Sequence, residues 1–423
     1  MTAPRPEPLD RVQRGLRQLG PGLITGAADD DPSGIATYSQ AGAQYGLNML
    51  WTVVLALPLM VAIQMVSARI GYVTGRGLSE NMRAAYPRWV VQVCVGLLVM
   101  ANTLNLSADI AAMGEALRLL VGGSAHIYAV TFGLLCLVLQ VFLPYERYVR
   151  WLKWLTLSLF AYVAVVLTLN IDWLAVARAV VWPQLAWGRE AFLLIVAVLG
   201  TTISPYLFFW QASQEVEDKK PGVHSAEEVR FHLARIRTDT VIGMGFSELV
   251  AFCIMLGTAA TLYAAGVRDV ETAAQAAEAL RPVAGDFAFL VFGLGIIGTG
   301  MLAVPVLAGS AAYAVAGAAG WHGSLSQTLR RGEGRGFYSV IAASTVGGVI
   351  LCFTPTTAIE ELFWSAVING VVAVPIMAVL MRLASRPDVM GEHVISRRVR
   401  WLGWLATVCM ALPVIGLALT WKS

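Results

Sequence analysis

Runs of about 20 apolar residues recur along the whole chain, separated by short polar stretches rich in Arg and Lys, and each run is long enough to cross a bilayer as a helix. They fall near 19–43, 46–70, 89–120, 126–144, 151–170, 190–213, 239–265, 285–318, 336–354, 357–383 and 401–420. The pattern predicts about eleven spans, an all-α polytopic membrane protein. Between the seventh and eighth, Asp269 to Arg281 (DVETAAQAAEALR) is Ala-rich with its charges on one side. It reads as a short extramembrane helix closing the external face.

Two of the runs are interrupted in mid-span. In the first, Asp31-Pro32-Ser33-Gly34 follows directly on Asp29 and Asp30. Each carboxylate at membrane depth costs roughly 2.5–3.5 kcal/mol even on lenient insertion scales, so something must compensate them, and a cation is the simplest choice. Pro32 lacks an N–H and Gly34 tolerates unwound backbone, so Pro32 and Ser33 read as a hinge that frees carbonyls. The sixth run carries a matching break at Gly200-Thr201-Thr202-Ile203-Ser204-Pro205-Tyr206, with Pro205 as its hinge, 173 residues after Pro32. That spacing fits an inverted repeat of five spans per half, with the two breaks facing one another near the midplane. The division reads 1–18 as a cytoplasmic segment, 19–170 and 190–383 as the repeats, 171–189 as an external loop, and 401–423 as an added eleventh helix.

Composition agrees with the membrane assignment: 57% of residues are hydrophobic, 13% are charged, and the mean hydropathy is +0.67. With the amino terminus inside, 24 of the 30 Lys and Arg fall on the cytoplasmic side. Such asymmetry orients the chain with its carboxyl terminus external, and it explains the net charge of +3 without nucleic acid. The basic start of the chain precedes no small-residue cleavage site, so the first span is expected to stay. Cys94, Cys136, Cys253, Cys352 and Cys409 lie singly within spans and read as packing residues. Asn105-Leu106-Ser107 matches a glycosylation sequon but falls inside a span.

Gly20-Pro21-Gly22-Leu23-Ile24 entering an Asp-Pro break, with Ser204-Pro205-Tyr206 in the sixth span, resembles the natural resistance-associated macrophage protein (Nramp) family of divalent-metal transporters. The resemblance covers nearly the whole chain and implies a LeuT-type fold, an inverted repeat of 5+5 helices with helices 1 and 6 broken, plus an eleventh. It implies a metal site of Asp31, Ala28, the position of Gly34, the Thr201 carbonyl and Ser204. The departures carry information. Gly34 stands where the family has Asn, Ser204 where it has Met, Tyr206 where it has the first His of helix six, and Gln211 where it has the second. A thioether favours soft transition metals, so its loss removes that filter and leaves a larger, all-oxygen site. Mg2+ keeps several waters and uses one or two carboxylates. The pattern is therefore most similar to the Nramp-related magnesium transporters, with Mn2+ expected to share the site.

All five histidines, His126, His224, His232, His322 and His393, fall in predicted loops or at span ends, which argues against strict proton coupling. Asp109 matches an acid that the family uses in proton release, but Ala112 replaces the Glu that follows it. Asp109 and Asn105 read as pathway or gating residues, set against ordinary interhelical partners. Glu248 is a vestibule acid or half of a structural pair, and Asp29 and Asp30 are expected on other faces of the broken helix from Asp31. Gln44, with Tyr38 and Gln40, coordinates through water or packs.

The expectation is thus a divalent-cation carrier with Mg2+ or Mn2+ as cargo. No cofactor, no nucleic acid and no partner protein is implied, and there is no catalysed reaction. The compact chain and the resemblance place it in a bilayer, a bacterial inner membrane. Two rivals stand: a proton-coupled Mn2+/Fe2+ carrier of the standard Nramp type, and a cation-coupled amino-acid symporter on the same fold. Three acids beside the break disfavour an anionic substrate there.

Overall fold

The computed structural model describes residues 21–143, 158–219, 225–321, 323–325 and 334–421. The cytoplasmic segment 1–18, the start of the fifth span, His224 and His322 lie outside the described residues. Fourteen of the eighteen α-helices among the described residues build the spans and the breaks, the first two in chain order being α1 (Pro21–Asp29) and α2 (Pro32–Tyr45). They are followed by α3 (Leu50–Thr74), α4 (Arg88–Val121), α5 (Ala125–Phe142), α6 (Phe160–Thr168), α7 (Trp173–Val181), α8 (Arg189–Thr202) and α9 (Pro205–Glu217). The last five are α10 (Ala226–Thr258), α11 (Ala288–Ala319), α12 (Arg335–Leu351), α13 (Ala358–Ala384) and α14 (Arg397–Thr420).

Among the described residues, eight helical stretches are long and apolar enough to cross a membrane. One of them, Pro32–Thr74, joins α2 to α3 through a single turn of 3-10 helix at Gly46–Met49, so it covers the second half of the first predicted span and all of the second. The remaining predicted spans appear as the short α6 and the 17-residue α12. The predicted external loop 171–189 instead holds α7, which turns 118° from α6. Asp172 causes the new start by accepting from the backbone of Leu174 and Ala175 at 3.0 and 3.1 Å. Between α10 and α11, Thr272 and Gln275 form a capping box that opens the predicted extramembrane helix, here Ala273–Glu278.

Both breaks are present, and each is written locally. The α1 segment ends at Asp29, and Asp31 caps α2 by accepting from the Gly34 N–H at 2.8 Å. The α8 segment ends at Thr202, and α9 restarts at Pro205 with Ser204 in the capping position. Proline suits the first helical position because its φ is preset and its missing N–H has no partner to lose there. Pro32, Ser33 and Pro205 therefore begin helices, contrary to their expected place in unwound backbone. The residues outside helix are Asp30 and Asp31 in one break, Ile203 and Ser204 in the other.

Small residues bring the broken helices close to their neighbours. A Cβ on Gly26 would lie 2.3 Å from the Gly243 carbonyl oxygen of α10, and one on Gly200 would lie 2.1 Å from the Ala366 carbonyl oxygen of α13. Backbone thus meets backbone, as polar-free packing within a bilayer favours. The α10 helix runs alongside α1 and α2 in the same direction, with Gly22 beside Asp239, Gly26 beside Gly243 and Gly42 beside Thr258. The long α4 and α11 pack on each other most extensively and form the opposite wall of the site.

Candidate metal-binding site

Asp31 is 2% exposed and sits where α1 and α2 part. Its Oδ1 accepts from the Gly34 N–H, and its Oδ2 accepts from Asn105 Nδ2 of α4 at 3.1 Å and from the Tyr206 hydroxyl of α9 at 3.4 Å. The same hydroxyl reaches the Ala28 carbonyl at 3.1 Å. Four of the anticipated residues, Asp31, Ala28, Asn105 and Tyr206, thus form one constellation joining the two breaks across α4.

Asp109 lies one helical turn beyond Asn105, fully buried, and the charge of Asp31 acts on it directly. Neither of its carboxylate oxygens has a hydrogen-bond partner, and Asn105 Oδ1 and Thr201 Oγ1 are likewise buried and unpartnered. Orphaned buried acceptors are costly and rare. On the other side of the break, Ser204 Oγ lies 3.0 and 2.7 Å from the Gly200 and Thr201 carbonyl oxygens and donates to them, so its lone pairs stay free while its proton is held. The Thr201 carbonyl keeps a second lone pair for a ligand.

Gly34 does not open the space expected of it. A Cβ there would meet Tyr38 Cε2 at 3.2 Å and Thr201 Oγ1 at 3.4 Å, and its N–H is spent on Asp31. The room given up by small residues at Gly34 and Ser204 is taken by two tyrosines. Tyr206 reaches Asp31, while Tyr38 spans the breaks by bonding Thr202 Oγ1 at 3.0 Å.

Asp29 and Asp30 face away from the partners of Asp31. Both approach Ser247 Oγ of α10, at 2.7 and 3.0 Å, because the unwound turn swings Asp30 back toward the side that Asp29 occupies. Glu248 follows next on α10, 4% exposed and unpartnered at both oxygens, within reach of the charges of Asp29 and Asp30. Ser247 carried no sequence signal of its own beyond its neighbour Glu248. None of these five acids makes an ion pair with a Lys, Arg or His among the described residues. Nor do three Asp, Glu, His or Cys side chains there stand close enough to form a ready-made ligand set. A cation at this break would be held by Asp31 with carbonyls, hydroxyls and water.

Gln211 and Gln44 lie away from Asp31. Gln211 Nε2 donates to Thr240 of α10 at 3.0 Å, well down α9, whereas Gln44 accepts from Gln40 at the far end of α2. Thirteen residues separate Gln44 from Asp31, about 20 Å along a helix axis. Gln40 in turn accepts from the Val270 N–H at 2.8 Å and so straps the extramembrane segment to α2. Asn102 donates to the Leu307 carbonyl and braces α4 against α11. His126 stacks on Phe353 and His232 packs on Tyr72, both at helix ends and remote from the break.

A cavity of about 600 Å³ opens between the ends of α4, α11 and α13 and the Ala273–Glu278 helix. Its lining includes Glu115, Arg118 and Glu271 together with Ala36 and Leu362. Ser33 Oγ donates to the Leu362 carbonyl at 3.3 Å, closing the floor one turn from Asp31.

A family model described as natural resistance-associated macrophage protein-like matches residues 22–421. The divalent metal cation transporter MntH of Deinococcus radiodurans is 29% identical over 413 residues, which cover 95% of this chain and 89% of that protein. The MntH of Yersinia pestis is 29% identical over 302 residues, 70% of each. Among solved structures, the Eremococcus coleocola manganese transporter bound to an aromatic bis-isothiourea substituted compound superposes with a TM-score of 0.78 at 18% identity, covering 99% of this chain and 90% of that one. Mhp1, a nucleobase-cation-symport-1 family transporter, follows with a TM-score of 0.60 at 14% identity, covering 96% and 92%. These relatives are transporters, not enzymes, and the structural likeness identifies the LeuT-type fold. With the family pattern matched from Gly22 to Trp421 and the paired breaks in place, the chain belongs to the Nramp family of integral membrane proteins.

Proposed function

We propose that this protein carries divalent cations across the membrane by alternating access about its two broken helices, taking Mg2+ preferentially and Mn2+ as well, without obligatory proton coupling. The observation that carries the reading is the set of buried oxygens around Asp31. Asp109 Oδ1 and Oδ2, Asn105 Oδ1 and Thr201 Oγ1 lack partners, and no basic side chain among the described residues pairs with either acid. A cation that brings its own water satisfies all of them at once. An anion or a carboxylate substrate satisfies none.

The relatives named for divalent metal and manganese support the cargo class. Preference for Mg2+ rests on Ser204 and Tyr206, hydroxyl side chains where the family pattern has a thioether and an imidazole, since oxygen donors suit a hard, hydrated ion. Independence from protons rests on the remoteness of His126, His232 and His393 from the break. The membrane potential alone favours entry of a dication by about 4.6 kcal/mol per 100 mV, at roughly 2.3 per charge.

With the amino terminus cytoplasmic, the 600 Å³ cavity faces outward and Ala36 and Leu362 form part of an outer closure over the site. The inner half-helix α1 lies flat on α10 and seals the other side. Liposomes holding a pH-sensitive dye separate the two carrier readings. Mg2+ uptake without internal acidification is the expected result; acidification in step with metal entry, and no Mg2+ flux, contradicts it.

A further inference from the structure

Every present partner of Asp31 is a donor, and Oδ2 already accepts from two of them, so a cation arriving at that oxygen takes the place of one. The Gly34 N–H is fixed by the helix it caps, and Asn105 presents an acceptor only by turning its amide over. The Tyr206 hydroxyl is different. It is both donor and acceptor, and rotation about its Cζ–O bond alone turns a lone pair toward Asp31. The Ala28 carbonyl, 3.1 Å away, is already positioned to keep the proton. Ring and backbone stay where they are: Tyr206 is 0% exposed, and its carbonyl accepts from Ser310 Oγ at 2.8 Å.

We propose that Tyr206 determines ion specificity by holding the cation's place between Ala28 and Asp31 and then serving as a hard, neutral oxygen donor to the hydrated ion. This rests on the reading of Asp31 as the cation site and adds to it the residue that selects among cations. A phenol oxygen at this point favours an ion that keeps its water, and it bears no positive charge that would repel one. Imidazole nitrogen in the same place would favour transition metals over Mg2+. The side chain at position 206 thus chooses between the two classes, while Asp31 attracts both.

The test uses the full chain in liposomes with Mg2+ and Mn2+ uptake measured on the same preparation, so that their ratio is independent of how much protein is active. Tyr206→Phe should raise KM for Mg2+ about fivefold or more, and Tyr206→His should shift the Mn2+ over Mg2+ preference by about the same factor. A variant that carries neither ion is read by calorimetry in detergent, where the ratio of the two Kd values replaces the uptake ratio. An unchanged ratio in Tyr206→His overturns the proposal. So does tighter Mg2+ binding by Tyr206→Phe, which would make the hydroxyl a competitor of the ion. Asp31→Ala is the separate control: if it leaves binding intact, the site itself is misassigned, whereas its loss of binding together with unaltered Tyr206 variants rejects the role of Tyr206 alone.

Discussion

At the scale of single residues, Asp31 and Asp109 divide the work. Asp31 is held by three donors and has a fixed geometry, while Asp109 is buried with both oxygens free. A dication near Asp31 gains from the second charge because little water screens it there. Asp109→Asn keeps the shape and removes the charge, so Mn2+ affinity should fall about tenfold, or 1.4 kcal/mol, by calorimetry. An unchanged affinity would make Asp109 a packing residue. Asp31 and Asp109 were both legible as costly intramembrane acids, but their partners were not. Nothing in the spacing of Asp29, Asp30 and Asp31 told which would turn toward Ser247, because the unwound backbone between α1 and α2 obeys no helical period. The room around Gly34 was misjudged for a related reason: deleting a side chain leaves space only where no aromatic neighbour fills it.

The elements were easier to read. Pro32 and Pro205 marked both breaks, although each proved to be the first residue of a helix and not part of the unwound turn. What apolar runs could not convey was the closeness of packing, which depends on glycines meeting across helices. Gly26 is the sharpest case, since any side chain there collides with the backbone of Gly243 at 2.3 Å from its oxygen. Gly26→Val should therefore lower stability by about 1–3 kcal/mol, the usual cost of overpacking, and stop transport by lifting α1 from α10. Thermal melting in detergent checks the first effect. A melting temperature equal to that of the wild type would show that α1 and α10 are already apart in the membrane. The helix α7 was missed because its residues are short of a full span, and only the Asp172 cap hinted at a new start.

At the scale of the molecule, alternating access requires that the outer closure and the inner seal not open together. In the proposed orientation the outer closure includes Ala36 and Leu362, with the Ser33 hydroxyl tied to the Leu362 carbonyl, whereas the inner seal is α1 packed against α10. Leu362→Ala should thus raise the reactivity of a cysteine placed at Ala36 toward a membrane-impermeant thiol reagent applied outside. No change would move the barrier elsewhere. The most direct measurement of the central claim is uptake of Mg2+ and Mn2+ into liposomes under an imposed inside-negative potential, comparing wild type with Asp31→Ala. Accumulation of both ions that follows the potential and vanishes in Asp31→Ala is the predicted result. Uptake of neither ion by the wild type, or equal uptake by Asp31→Ala, would contradict the assignment of this break as the path of a divalent cation.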